Sequence, residues 1–374
     1  MIHRLLANRG PSAPPGAKRP IAPPGAGALL ALAVAALTAC STDAGKVSLK
    51  GAAGPGHRIK AGLVSNIGGF GDKSYADLQY NGLVRSRTQF GIDIAYEEVR
   101  QSEDYADKME KLIHRGCNLI FCSSVDMQPA VEQLAPHHPQ VRFVLLDAPV
   151  IAKNPNTVGV LMRQSEGCFL VGALAARMSR SGTIAAVCGR KEPVIDDFTL
   201  GFEAGARLAR PDIRVKALYL QELFPGKNPW SSPVEAKQAA LDLVSAQGAD
   251  VVFGIAGASN LGIFQACKEK KVWAIGVDSD QDYLVPRVIL CSMMKRMDQA
   301  ILLQVERVLR GRFESGNITM GLSDGGVDVS PMTYTRGKVP PDVLRQMQEF
   351  RAGIVSGAIQ VPSTLTDTPQ VLPP

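Results

Sequence analysis

Lys60-Ala61-Gly62-Leu63-Val64-Ser65-Asn66-Ile67-Gly68-Gly69-Phe70-Gly71-Asp72-Lys73-Ser74-Tyr75 is an apolar run, a glycine-rich loop and the opening of a helix. An apolar run too short for a helix, followed by glycines and then a 3.6-residue pattern, reads as strand, loop and helix. The spacing predicts a strand at Ile59–Val64 and a helix at Ser74–Phe90. The same rhythm continues with strands at Ile92–Tyr96, Leu119–Cys122 and Arg142–Leu146, and helices at Tyr105–Arg115 and Pro129–Leu134. Repeated βα units of this length imply a parallel sheet covered by helices on both faces.

The pattern then restarts. Helices are predicted at Glu166–Met178, Phe198–Leu208, Ser232–Ala246 and Leu261–Lys270. Strands are predicted at Thr183–Val187, Val215–Tyr219, Val251–Gly254, Trp273–Val277 and Val288–Ser292. A helix at Asp298–Arg310 and a strand at Gly326–Val329 return the chain between the blocks. Two such blocks predict an α/β chain of two lobes facing each other across a cleft. Residues 57–163 plus 294–325 form one lobe, and 164–293 plus 326–361 the other. The chain is expected to cross near Met162–Gln164, Met293–Lys295 and Gly325–Val329. The polar, Pro-rich tail from 362 to 374 is expected to be disordered.

The N-terminus carries a different signal. Lys18 and Arg19 precede an apolar stretch, Gly25 to Leu37, which ends in Leu37-Thr38-Ala39-Cys40. A basic segment, a short apolar core and small residues before a cleavage point make a secretory signal at 1–39. The stretch is too short for an ordinary transmembrane helix. Its ending resembles the bacterial lipobox, in which the Cys, here Cys40, is lipidated and becomes the mature N-terminus. Residues 40–56, rich in Gly, Ala and Ser, then read as a tether. Arg4, Arg9, Lys18 and Arg19 precede residue 40 with no acid among them, so most of the +6 net charge lies outside the folded part. That distribution argues against a nucleic-acid partner. The six cysteines after Cys40 form no CxxC and no Cys/His cluster of zinc spacing, and their pairing is left open.

In open parallel sheets, ligands bind beyond the C-terminal strand ends. The loop after the first strand offers glycines and a helix N-terminus. As a dinucleotide fingerprint it fails at the third glycine, where Ser74 stands, although Glu97 or Glu98 could serve as the ribose acid. Free nicotinamide cofactors are also not expected outside the cell. After Trp273–Val277 come Asp278-Ser279-Asp280-Gln281, and seventeen residues after Asp278 comes Lys295. A carboxylate and an ammonium in one cleft suit a ligand bearing hydroxyls or amides. Their alternative is a structural ion pair. Trp230, between Pro229 and Ser231 in a loop after a strand, is a candidate ring platform, with core packing as its alternative. Other strand-end loops add Asn66, Asp72, Ser123 and Gly257 as candidate ligand-binding residues. There is no P-loop, no H-E-x-x-H, no G-x-S-x-G and no Cys/His pair, so we expect no enzyme, no metal and no cofactor.

The ordered motifs resemble the basic membrane lipoprotein family, which includes purine nucleoside receptors of ABC transporters. They are Gly68-Gly69-Phe70-Gly71-Asp72-Lys73-Ser74-Tyr75, Phe143-Val144-Leu145-Leu146-Asp147, Phe169-Leu170-Val171-Gly172-Ala173-Leu174-Ala175-Ala176, Gly201-Phe202-Glu203-Ala204-Gly205, Gly276-Val277-Asp278-Ser279-Asp280-Gln281, Ser292-Met293-Met294-Lys295 and Gly325-Gly326-Val327. The resemblance runs from about Lys60 to Val361. It implies a type I periplasmic-binding architecture, two Rossmann-like lobes with parallel sheets joined by crossover hinges. It also implies a nucleoside held between two aromatic rings, with an Asp and a Lys on its polar groups. By position these resemble Tyr75, Trp230, Asp278 and Lys295. Asn66 stands where many members carry Asp, and Ala76 where Asn commonly follows the aromatic. Ala258-Ser259-Asn260 replaces a Gly-Thr-Gly-like loop. The expected partners are a small-molecule ligand, separate ABC permease and ATPase subunits, and a membrane reached through the lipid anchor, with the protein a monomer. The alternatives are a receptor of the same fold for a sugar or other small polar solute, and a sensory receptor component.

Overall fold

The computed structural model describes residues 58–365. The signal segment, Cys40 and the tether lie outside the described residues. The chain runs through β1 (Lys60–Val64), α1 (Tyr75–Phe90), β2 (Asp93–Glu97), α2 (Tyr105–His114), β3 (Leu119–Ser123), α3 (Gln128–Leu134), β4 (Arg142–Leu146) and β5 (Thr157–Met162). It continues with α4 (Gln164–Met178), β6 (Thr183–Cys188), α5 (Pro193–Ala209), β7 (Arg214–Tyr219) and the single turn α6 (Leu220–Leu223). Next come α7 (Pro233–Ser245), β8 (Val251–Ile255), α8 (Asn260–Lys270), β9 (Trp273–Asp278) and β10 (Ile289–Lys295). The last elements are α9 (Met297–Leu309), β11 (Gly316–Met320), β12 (Val327–Val329) and α10 (Pro341–Val355).

Two six-stranded sheets result, ordered β11-β5-β4-β3-β1-β2 and β12-β10-β9-β8-β6-β7. Every pairing is parallel except β12 on β10. Strands β3, β5, β6 and β8 are buried along their whole length, as strands covered on both faces must be. The chain leaves the first sheet after β5, returns to it through β11, and rejoins the second at β12. One apolar cluster runs through both sheets, including Leu63, Phe121 and Val144 of the first and Ile184, Phe253 and Ile275 of the second.

Helices α4 and α5 pack backbone to backbone in the second lobe. A Cβ at Gly172 would lie 2.0 Å from the Phe202 carbonyl oxygen, one at Gly201 2.2 Å from that of Ser165, and one at Gly205 1.9 Å from that of Phe169. Only glycine allows such an approach, so the Gly-rich pattern in these helices encodes their contact. It also fixes the N-terminal turn of α5, which faces the cleft.

Four elements were not foreseen from sequence: β5, the single turn α6, β11 and α10. Strand β5 follows β4 without a crossover helix, so the alternation that marks the other strands is missing there. The strand expected at Val288–Ser292 extends to Lys295, which places that residue at a strand terminus. The tail expected to be disordered from Pro362 is held at its start. Ser363 Oγ and Thr364 N–H donate to Asp197 Oδ1 at 2.6 and 3.0 Å; its remainder lies outside the described residues. All six cysteines after Cys40 are buried, free thiols, and burial pushes those of Cys122, Cys188 and Cys267 up.

Candidate functional site

The C-terminal strand ends of both sheets face one cleft of about 740 Å³, its open mouth included. Its floor is built around Lys295, the last residue of β10. The lysine is only 1% exposed, and its Nζ donates to Asp147 Oδ2 at 2.6 Å. The ammonium lies 4.9 Å from the Phe198 ring centroid and 6.0 Å from that of Tyr75, so two ring faces flank the charge. Tyr75 Oη donates to the same Asp147 oxygen at 3.4 Å.

Asp278 lies across the floor from Asp147. Its Oδ2 accepts a hydrogen bond from Ser74 Oγ at 2.7 Å, so the start of α1 in the first lobe is tied to the end of β9 in the second. Ser279 Oγ and Gln281 Nε2 add to this tie by donating to the Lys73 carbonyl, at 2.8 and 3.0 Å. Burial pushes the Asp278 carboxyl up to about 6, against the pull of Lys295. Burial also raises Asp147 above the usual carboxylate range, despite its bond to the lysine. Two buried carboxylates thus share one cation, and desolvation outweighs the attraction.

The sequence-predicted residues divide in three. Tyr75, Trp230, Asp278, Lys295, Asn66 and Gly257 all line the cleft. Trp230 lies against the Gly189 backbone: a Cβ there would sit 2.4 Å from the indole, so the ring's position requires glycine beneath it. Asn66 brings a buried Oδ1 with no hydrogen-bond partner among the described residues, an acceptor available to a ligand. Gly257 keeps its place through a positive φ of 55°.

Asp72 reaches the wall with its carboxylate already committed. It accepts the N–H groups of Ser74, Ala76 and Asp77 at 2.9, 2.8 and 3.1 Å, so it caps the start of α1 rather than offering itself to a ligand. Ser123 is fully buried behind the wall. Its neighbour Ser124, in left-handed backbone at φ 75°, lines the cleft in its place. The ion pair considered for Lys295 and Asp278 is also redrawn, because the hydrogen-bonded partner of Lys295 is Asp147. Glu97, weighed as a ribose acid, is bound by Lys111 and Arg115 at 3.0 and 2.7 Å.

Sequence reasoning missed Asp147, Phe198, Asp126, Arg190 and Glu192, all of which line the cleft. Asp147 had a legible signal. Phe143-Val144-Leu145-Leu146-Asp147 and Ala274-Ile275-Gly276-Val277-Asp278 are both apolar runs ending in Asp. The wall carries five acids (Asp72, Asp126, Asp147, Glu192 and Asp278) against Lys295 and Arg190. Such a surface suits a neutral or cationic ligand and opposes a phosphate.

Two facing parallel sheets joined by crossings, with a cleft between their C-terminal strand ends, are the frame of a periplasmic-type solute-binding protein. A solved ABC transporter system solute-binding protein from Aeropyrum pernix K1 has that fold. It aligns with a TM-score of 0.74 at 24% identity, covering 83% of this chain and 94% of that one. The family described as ABC transporter substrate-binding protein PnrA-like matches residues 59–364, and the chain belongs to that family. Among relatives, Basic membrane protein A2 of Borrelia garinii subsp. bavariensis is 28% identical over 310 residues, spanning 81% of this chain and 88% of the relative. The ABC transporter nucleoside-binding protein BmpA of Lactococcus lactis subsp. cremoris is 27% identical over 327 residues, spanning 82% and 89%.

Proposed function

We propose that this chain is the exported, lipid-anchored receptor of an ABC importer. It has no catalytic role: it captures a nucleoside, preferentially a purine nucleoside, in the cleft and delivers it to the permease. The observation that carries the reading is the floor. One buried ammonium and two buried carboxylates lie beside aromatic rings, offering donors and acceptors to ribose hydroxyls and flat surfaces to a base. Tyr75 and Trp230 supply stacking surfaces, each stack contributing about 1–3 kcal/mol. Asp278 accepts from hydroxyl or ring N–H groups, and Lys295 donates to a ribose or base acceptor. The nucleoside-binding relative in Lactococcus supports the same ligand class.

A nucleoside of about 20 heavy atoms, at about 0.4–0.5 kcal/mol per atom, gives a Kd near or below about a micromolar. Calorimetry is expected to show guanosine, adenosine or inosine binding at that level, and their 5′-monophosphates at least about 100-fold more weakly, because the acidic wall opposes a phosphate. Glucose binding in place of every nucleoside would replace this reading with a sugar receptor. Anchoring rests on Leu37-Thr38-Ala39-Cys40. Labelled fatty acid is expected to enter the wild type and not the Cys40→Ser variant.

A further inference from the structure

Arg190, with Ile67 and Trp230, stands where the cleft meets the outside. It lines the ligand cavity and also a second depression, formed by Gln101, Ser102 and Glu103 of the first lobe and Gln221, Asn228 and Pro229 of the second. The guanidinium belongs to the loop after β6 in the second lobe. It donates to both oxygens of Asp126 in the first lobe, at 2.9 and 3.1 Å. Within its own lobe it meets Glu192, with Nε at 2.7 Å and a terminal nitrogen at 2.6 Å from Oε2. All three side chains are less than a third exposed.

Other polar ties between the lobes run through Ser74, Lys73 and Lys295, at the start of α1 and on the cleft floor, and through Glu166, which accepts from Leu322 N–H at 2.8 Å beside the crossings. In the Asp126–Arg190 bridge a single terminal nitrogen, Nη2, donates to both carboxylate oxygens of Asp126 and also meets Glu192, a charge-assisted contact that spans the two lobes. Glu192 holds the arginine pre-aimed when the lips separate, which lowers the ordering cost of re-forming the bridge.

We propose that Arg190 and Asp126 form a clasp across the mouth that holds the two lobes closed and retains the ligand. Opening the cleft breaks this bridge while leaving Arg190 on Glu192, so the clasp acts on release more than on capture.

The test uses spin labels on cysteines introduced at Glu98 and Glu222, exposed positions on the two lobes; the six cysteines of the described residues are buried and will not compete. Pulsed electron resonance then reads the distance between lobes in the ligand-free protein. The unsubstituted clasp is expected to show a short-distance population. Arg190→Gln and Asp126→Asn are each expected to shift it to longer distances, with the double variant no more open than either single one. An unsubstituted clasp that is fully open, or single variants with unchanged distances, overturns the proposal. The retention arm rests on the nucleoside reading and follows guanosine release by tryptophan fluorescence. Each variant is expected to release guanosine about 10-fold faster with a smaller change in association. If Arg190→Gln weakens guanosine binding while Asp126→Asn tightens it, Arg190 is a ligand contact and not a clasp. Guanosine failing to bind the unsubstituted protein defeats the nucleoside reading alone, because the distances still decide the clasp.

Discussion

The two lobes are built to one plan and differ where the ligand meets them. Strands β4 and β9 hold the same place in their sheets. Each delivers an Asp in left-handed backbone, Asp147 at φ 65° and Asp278 at φ 66°. Asp tolerates that conformation better than most residues, and its cost persists only where the surroundings hold it. Strands β5 and β10 are likewise equivalent, and there the lobes part. Strand β5 ends in Met162 and β10 in Lys295, each followed by an arginine and a helix. A symmetric scaffold thus presents a pair of carboxylates, and one asymmetric position supplies the single cation between them. The chemistry of the floor comes from broken symmetry.

Making the lobes alike at that position has the largest expected effect. Lys295→Met gives β10 the residue that ends β5 and removes the ammonium from the floor. Asp147 then loses its cationic partner in a buried site and keeps only the Tyr75 hydroxyl bond, a change that costs about 3–5 kcal/mol at neutral pH. Thermal unfolding is expected to show this loss, with partial recovery at pH 5 as the carboxyls take up protons. Nucleoside affinity, read by calorimetry, is expected to fall at least about 100-fold, since both the donor and the charge balance are gone. Lys295→Met with Asp147→Asn should restore stability without restoring binding. If binding returned as well, the lysine would be scaffold only.

The walls come next. Trp230 belongs to the second lobe and rests on Gly189; Tyr75 belongs to the first and is tied to Asp147. Trp230→Ala removes a stacking surface and is expected to weaken nucleoside binding by about 10–100-fold. Tyr75→Phe keeps the ring and deletes only a 3.4 Å hydrogen bond, so a change of less than about 5-fold is expected. Equal losses from the two would mean that the phenol hydroxyl, not stacking, is what Tyr75 contributes.

Much of this was legible in the sequence because the βα rhythm and the Asp-Ser-Asp-Gln and Met-Met-Lys segments are local signals. Trp230, Asp278 and Lys295 could be placed in loops after strands from the βα rhythm, Tyr75 came from the family resemblance, and the structure puts all four on one cleft. What stayed hidden is pairwise. No local pattern says that Lys295 bonds Asp147, 148 residues away, rather than Asp278. Nor does one say that Arg190 meets Asp126 across the mouth. These depend on how two separately wound sheets face each other. Phe198 was read as the first residue of a helix that actually starts at Pro193, so its position over Lys295 could not be seen.

The smallest expected effect separates the twin carboxylates by sign. Asp278 titrates near 6 in the folded chain, above its ordinary value of 3.8, because burial disfavours its charged form. The folded protein therefore holds this proton more tightly than the unfolded chain does. Its favourable contribution is fully present below about pH 4 and is lost as pH rises towards about 6, by at most about 3 kcal/mol. Asp278→Asn keeps an acceptor for Ser74 Oγ and removes the charge. It is therefore expected to raise ligand-free stability at pH 7 by about 1–2 kcal/mol and to flatten the curve between pH 4 and 6. Burial raises the Asp147 carboxyl as well, but Asp147→Asn also strips Lys295 of its hydrogen-bonded anion, and that loss is expected to outweigh the gain and lower stability at pH 7. Ligand reverses the pressure on Asp278: a nucleoside donating to the carboxylate favours the charged form, so affinity should rise from pH 5 to 7 in the wild type and stay level in Asp278→Asn. Chemical denaturation of both variants across pH 4–8 measures the signs. If both stabilise, the floor does not need its Lys295–Asp147 bridge; if both destabilise, Asp278 is held charged by the lysine and the two carboxylates are equivalent after all.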